Sequence, residues 1–153
     1  MRYEREARVL VAAWKERAQR GIAELAATLL ADAVAPPTAD ALAYVPADPD
    51  RGLRRGHHPA RALAARLSAI WDVPVLPLLD RPRAGKAQRA LGLVERRRNV
   101  AGAFAASRAP PARVVLVDDV YTTGATASEA ARCLLRAGAR RVDVLTFART
   151  VRR

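Results

Sequence analysis

Cysteine is nearly missing: Cys133 is the only one in 153 residues, so this chain can build neither an internal disulfide nor a cysteine-rich zinc site. That usage fits a reducing compartment. Aromatic residues are scarce too, at 5% against 51% apolar overall, and alanine supplies much of the apolar fraction. No uninterrupted apolar run approaches the roughly 20 residues that cross a bilayer. The opening MRYEREARVL also lacks the apolar centre of a signal peptide. A cytoplasmic protein without membrane insertion is the expectation. Acidic residues are outnumbered, 15 against 27 Lys and Arg, which leaves a net charge of +12. Such an excess favours polyanionic partners, nucleic acid or phosphorylated substrates, or else it is a solvated basic surface.

The length predicts one domain over 1–153, with a helical lead-in at 1–36 and a core at 37–153. Val9, Leu10, Ala13 and Trp14, then Ile22, Leu25, Leu29 and Leu30, repeat at helical spacing on either side of Gly21. ALAYVP at 41–46 reads as a short strand ended by Pro46, and a helix follows whose apolar face includes Leu63, Leu67 and Ile70. VPVLPLL at 73–79 is a second strand candidate, placed at a sheet edge by Pro74 and Pro77. Residues 80–103 are polar and basic. Beyond them come a buried strand at 114–117, a helix at 126–137 ended by Gly138, and a strand RVDVLTFAR at 141–149. Strand, helix, strand in succession predicts an α/β fold, a parallel sheet flanked by helices.

Chemistry concentrates in VVLVDDVYTTGAT, residues 114–126. In an open α/β sheet ligands bind beyond the carboxyl ends of strands, where Asp118 and Asp119 fall. The glycine turn into a helix offers backbone N–H groups to an anion, and Thr122, Thr123 and Thr126 add hydroxyls. Two carboxylates beside a phosphate need partners of their own. Sugar hydroxyls or a magnesium ion would supply them, so the stretch describes a phosphorylated ribose. A helix start merely capped by Asp and Thr is the structural alternative. A Walker loop would need a lysine before its Ser or Thr, and a dinucleotide fingerprint three spaced glycines; neither is present.

Hydrophobic strand, Asp-Asp, and Thr-Thr-Gly-Ala-Thr together resemble the phosphoribosyl pyrophosphate signature of type I phosphoribosyltransferases. More of the chain is similar to one branch, the ComF family associated with DNA uptake in competence: YVP, RRG, RALAARL, Gln88, ERRRNVAGAF and AGARRVDVLTFAR. Two departures stand out. Many members begin with a zinc-binding segment of four cysteines, which this chain lacks, and where the family often reads Arg-Gly, an aromatic, Asn and Gln, this sequence has Arg55-Gly56-His57-His58-Pro59.

The resemblance implies a magnesium-dependent transferase of the type I phosphoribosyltransferase fold. The 5-phosphate would sit on Thr122, Thr123, Gly124, Ala125 and Thr126, and Asp118 and Asp119 would face the ribose and help place Mg2+. Arg51, Arg54 and Arg55 fall where the family has its pyrophosphate loop, and Arg suits phosphate oxygens; an exposed basic helix start is the other reading. Residues 81–99, with Arg83, Lys86 and Gln88 near the tip, form a lid over the reacting sugar, a disordered basic loop, or a DNA-phosphate contact. The implied partners are phosphoribosyl pyrophosphate and an unidentified acceptor, with single-stranded DNA and the competence machinery in a non-catalytic sensing or DNA-binding reading; a homodimer is compatible with either. His57 and His58 are too few to hold a metal alone, and the pair is expected to contact phosphate or to be exposed. Cys133 is expected in the core, and Trp14 and Trp71 are expected as packing residues, an exposed Trp that stacks a base being the other reading.

Overall fold

The computed structural model describes residues 20–47, 58–82, 102–121 and 123–149. Its elements, in chain order, are helix α1 (Arg20–Ala33), strand β1 (Ala41–Tyr44), helix α2 (Pro59–Trp71), strands β2 (Leu79–Asp80), β3 (Ala105–Ala106) and β4 (Arg113–Tyr121), helix α3 (Ala125–Arg136) and strand β5 (Arg141–Arg149). The main sheet is parallel in the order β1-β4-β5, and Val75 adds a parallel bridge to Leu42 on the outer side of β1. The proline-rich stretch 73–79 therefore lies at the edge, as its composition predicts. It makes a bridge rather than a full strand, because Pro74 and Pro77 have no N–H for a ladder.

Alternation along β4 sorts the layers. Val115 and Val117 pack with Ile22, Ala26, Leu63 and Leu67 of α1 and α2, whereas Val114 and Leu116 meet Ala130, Cys133 and Leu134 of α3. Helices thus cover both faces, as a parallel sheet requires. Each buried Leu here contributes roughly 1.5–3 kcal/mol of transfer free energy. Cys133 is buried and donates its thiol to the Phe104 carbonyl at 3.5 Å, so it is a core residue. Trp71 is also buried.

Several boundaries differ from expectation. β4 does not stop at Val117 but continues through both aspartates to Tyr121, because β5 extends as far and pairs with it up to Tyr121↔Arg149. Gly21 lies at the start of the described part of α1, and the residues before Arg20, on which a break between two helices depends, are outside the described residues. Leu25, Leu29 and Ile70 are 48%, 44% and 49% exposed. Helical periodicity places them near the apolar face, but the buried arc is set by the narrower α1–α2 contact through Ile22, Ala23, Ala26, Leu63 and Leu67.

At the N-terminal ends of the strands Asp40 accepts hydrogen bonds from Arg113: Nη2 at 2.8 Å, Nε at 3.3 Å and the backbone N–H at 2.8 Å. The guanidinium, then the N–H, hold this carboxyl below the ordinary 3.8. Lowering in the folded state means stability that is complete above the ordinary value and lost as pH falls through the lower one. Asp40→Asn is accordingly expected to melt below wild type at neutral pH, with the gap closing below about pH 4. Thermal melts of both proteins across pH 2.5–7 check this.

Candidate phosphoribosyl-binding site

β1 ends where the site begins. Its residues pair with Val114–Val117, Tyr44 opposite Val117, so Asp118 is the first residue of β4 to outlast it. From β1 the chain leaves towards the Val75 edge, and β4 lies on the other side. The strand order therefore reverses between β1 and β4. In open α/β sheets that reversal opens a crevice at the carboxyl ends.

Asp118 is buried at 9% exposure and Asp119 half-buried. Each carboxylate accepts from the next backbone N–H, Asp119 to Asp118 and Val120 to Asp119, both at 2.9 Å. These bonds fix each side chain against its own strand. Gly124 follows as the N-cap of α3 in the left-handed region, φ 73, and no side chain caps the helix. Thr123 Oγ1 accepts from Ala125 N–H at a long 3.4 Å. The first turn of α3, formed by Ala125 and Thr126, is thus a positively polarised helix start beside two carboxylates, with the long Thr123 bond as its one side-chain partner among the described residues. Glycine is required here on a second ground: a Cβ on Gly124 would run into the hydroxyl and ring of Tyr121.

Among the described residues no group of three or more His, Cys, Asp or Glu could hold a metal ion. Two adjacent carboxylates are nevertheless the hard-oxygen donor set from which Mg2+ takes one or two ligands, completing its shell from water and substrate phosphates. The residues fit that ion in the presence of a phosphorylated ligand.

Arg51, Arg54, Arg55, Lys86 and Thr122 lie outside the described residues, as do Arg83, Gln88, His57 and Trp14. Their flanks are described. Ala47 donates its N–H to His58 Nε2 at 2.9 Å, which joins the two ends of segment 48–57 at the carboxyl end of β1. The ends of 83–101 also meet, through the antiparallel pair Leu79↔Ala106 and Asp80↔Ala105, with Arg81 over the Phe104 ring at 5.4 Å. Glu129 of α3 fastens this hairpin, accepting from Gly102 N–H at 3.0 Å and from Arg132 and Arg136 at 3.1 and 3.2 Å. The Gly102 N–H, above all, holds this carboxyl below the usual range against the opposing effect of burial, with the two arginines assisting.

His58 is not the exposed residue that one of its two readings expects. Half-buried, it is the N-cap of α2 ahead of Pro59, and its ring meets Tyr44 edge-on at 5.2 Å. Its Nδ1 is also 3.3 Å from Arg61 N–H; a neutral imidazole has one bare nitrogen, so the shorter bond from Ala47 holds the ring. Histidine is uncommon as a cap, which is why sequence alone did not give it this role. A cavity of about 330 Å3 lies elsewhere, against Val34, Trp71, Val144 and the Arg141–Asp143 ion pair at the start of β5, and is lined by neither aspartate of the acidic pair and by neither Thr123 nor Thr126.

No family model matches the chain. It is 36% identical over 115 residues to Competence protein F of Haemophilus influenzae, covering 72% of this chain and 50% of that protein. To the DNA utilization protein YhgH of Escherichia coli (strain K12) it is 37% identical over 117 residues, 73% of this chain and 50% of the relative. The chain thus spans about half the length of the curated relatives it matches. Among solved structures, the glutamine phosphoribosylpyrophosphate amidotransferase from B. subtilis superposes with a TM-score of 0.57 at 24% identity, over 82% of this chain and 26% of that one. The adenine phosphoribosyltransferase from Thermoanaerobacter pseudethanolicus gives 0.52 at 16%, over 86% and 82%. At those identities the likeness is one of fold. Over the segment it shares with them, this chain belongs to the family of Competence protein F and YhgH, built on the type I phosphoribosyltransferase fold.

Proposed function

We propose that this chain binds magnesium phosphoribosyl pyrophosphate at the carboxyl end of β4 and transfers the ribose 5-phosphate group to an acceptor. The observation that carries the reading is one of placement: Asp118 and Asp119 stand just past the end of β1 where the strand order reverses, and the left-handed Gly124 opens α3 beside them. In this reading the start of α3, with Thr123 and Thr126, takes the 5-phosphate, and the carboxylates accept from the ribose hydroxyls. Mg2+ held with their help would neutralise charge on the pyrophosphate.

Transfer breaks the bond from ribose C1 to the pyrophosphate oxygen and forms one from C1 to the acceptor, through positive charge at the sugar. The carboxylates stabilise that charge, and the fixed turn holds the sugar so that little ordering remains to be done in the reaction. Arg51, Arg54 and Arg55 are assigned to the pyrophosphate, and Lys86 to a segment closing over the sugar. The test is a calorimetric titration of phosphoribosyl pyrophosphate with and without magnesium. Magnesium-dependent, one-to-one uptake is the expected result, and no heat under either condition would remove the proposal.

A second reading, binding of single-stranded DNA, draws on the net charge of +12 and on relatives named for DNA utilization. Binding through Lys and Arg to phosphates should weaken steeply between about 50 and 200 mM salt. Fluorescence anisotropy of a labelled oligonucleotide measures it, and salt-independent or absent binding would leave the charge as surface alone.

A further inference from the structure

The turn assigned to the 5-phosphate contains no cation. Thr123, Gly124, Ala125 and Thr126 offer hydroxyl and backbone donors, yet a phosphate monoester carries roughly 1.5–2 negative charges near neutral pH and here would face two carboxylates one turn away. Helix dipole and neutral donors act on such a charge only weakly where water reaches them.

The adjacent strand supplies one. Arg149 lies opposite Tyr121 in the β4–β5 register, at the carboxyl end of both strands. Its guanidinium carbon is 5.6 Å from the centroid of the Tyr121 ring. That same ring lies on Gly124, on the side a Cβ would occupy. Gly124, the phenol and the guanidinium therefore form one continuous row from the tip of the turn to the end of β5. Arg113, Arg132, Arg136 and Arg141 are each committed to a carboxylate, on Asp40, Glu129, Glu129 and Asp143. Arg149 has no carboxylate partner among the described residues; it is exposed and rests on the ring alone. Stacking of this kind leaves the planar N–H fork available to phosphate oxygens.

We propose that Arg149 is a phosphate-binding residue, held beside the turn by Tyr121, which supplies the positive charge for the 5-phosphate end of the ligand. The proposal rests on the phosphoribosyl pyrophosphate reading above. It assigns a function to AGARRVDVLTFAR beyond forming a strand, and it gives the two ends of the ligand different cations.

Arg149→Gln and Tyr121→Phe, titrated with ribose 5-phosphate and with magnesium pyrophosphate, separate the cases. Arg149→Gln should bind ribose 5-phosphate about tenfold more weakly, the worth of one charge-assisted hydrogen bond. It should bind magnesium pyrophosphate within twofold of wild type and melt at the wild-type temperature. A merely structural arginine would not discriminate between the two ligands. Tyr121→Phe keeps the ring and should retain ribose 5-phosphate affinity. If Arg149→Gln binds ribose 5-phosphate as wild type does, loses both ligands equally, or is outdone by Tyr121→Phe, the assignment is overturned and the binding site stands. Wild-type protein that takes up neither ligand nor phosphoribosyl pyrophosphate overturns both.

Discussion

Asp118→Asn/Asp119→Asn is expected to bind magnesium phosphoribosyl pyrophosphate at least about 100-fold more weakly than wild type. Two hydrogen bonds to charged acceptors are worth about 1.5–3 kcal/mol each, and every 1.4 kcal/mol is tenfold. Loss of the metal-facing charge adds to this. The fold should survive, because Asn Oδ1 can accept from Asp119 and Val120 N–H as the carboxylates do. The melting temperature should therefore stay close to that of wild type. Calorimetric titration with parallel melts reads both quantities. Unchanged affinity would show that the acidic pair does not face the ligand.

Gly124→Ala should be the most costly single substitution at the site. Alanine in the left-handed region costs about 1–2 kcal/mol, and here the backbone is held at φ 73 by its place at the start of α3. Its Cβ must in addition displace the far end of the half-buried Tyr121 side chain, which can swing aside, so the backbone cost dominates. That cost of about 1–2 kcal/mol corresponds to a fall of roughly 2–8 °C in melting temperature for a chain of this size. Adding Tyr121→Ala should recover the steric part and leave the backbone part. A double-mutant cycle in chemical denaturation measures that coupling. Strict additivity would mean that ring and turn are independent.

What could be read from the sequence follows from whether the signal is local. The parallel sheet, the strand at 141–149 and the turn into α3 were legible because apolar run, Asp-Asp and Thr-Thr-Gly lie within one short stretch. The continuation of β4 through Asp118 and Asp119 was not. Carboxylates depress strand propensity, and only the cross-strand partner β5 sustains the ladder there. The two-residue strands β2 and β3 carry no period at all; what defines them is a distant anchor, Glu129 on Gly102. Tyr121 and Arg149 are 28 positions apart, and register alone brings them together. Tyr121 was inside the quoted motif, but nothing in one sequence says that its ring would turn back onto Gly124.

The relatives' names attach to proteins about twice as long as the matched segment. Binding of the ligand by this chain alone is therefore the part of the proposal to test first. The most direct measurement is a backbone amide NMR titration of the 153-residue chain with magnesium phosphoribosyl pyrophosphate. The expected result is that the largest shifts fall on Asp118–Val120 and Thr122–Ala127, saturate together and require magnesium. Shifts centred instead on Val115, Arg141, Asp143 and Val144 around the distant cavity, or no shifts at all, would contradict it.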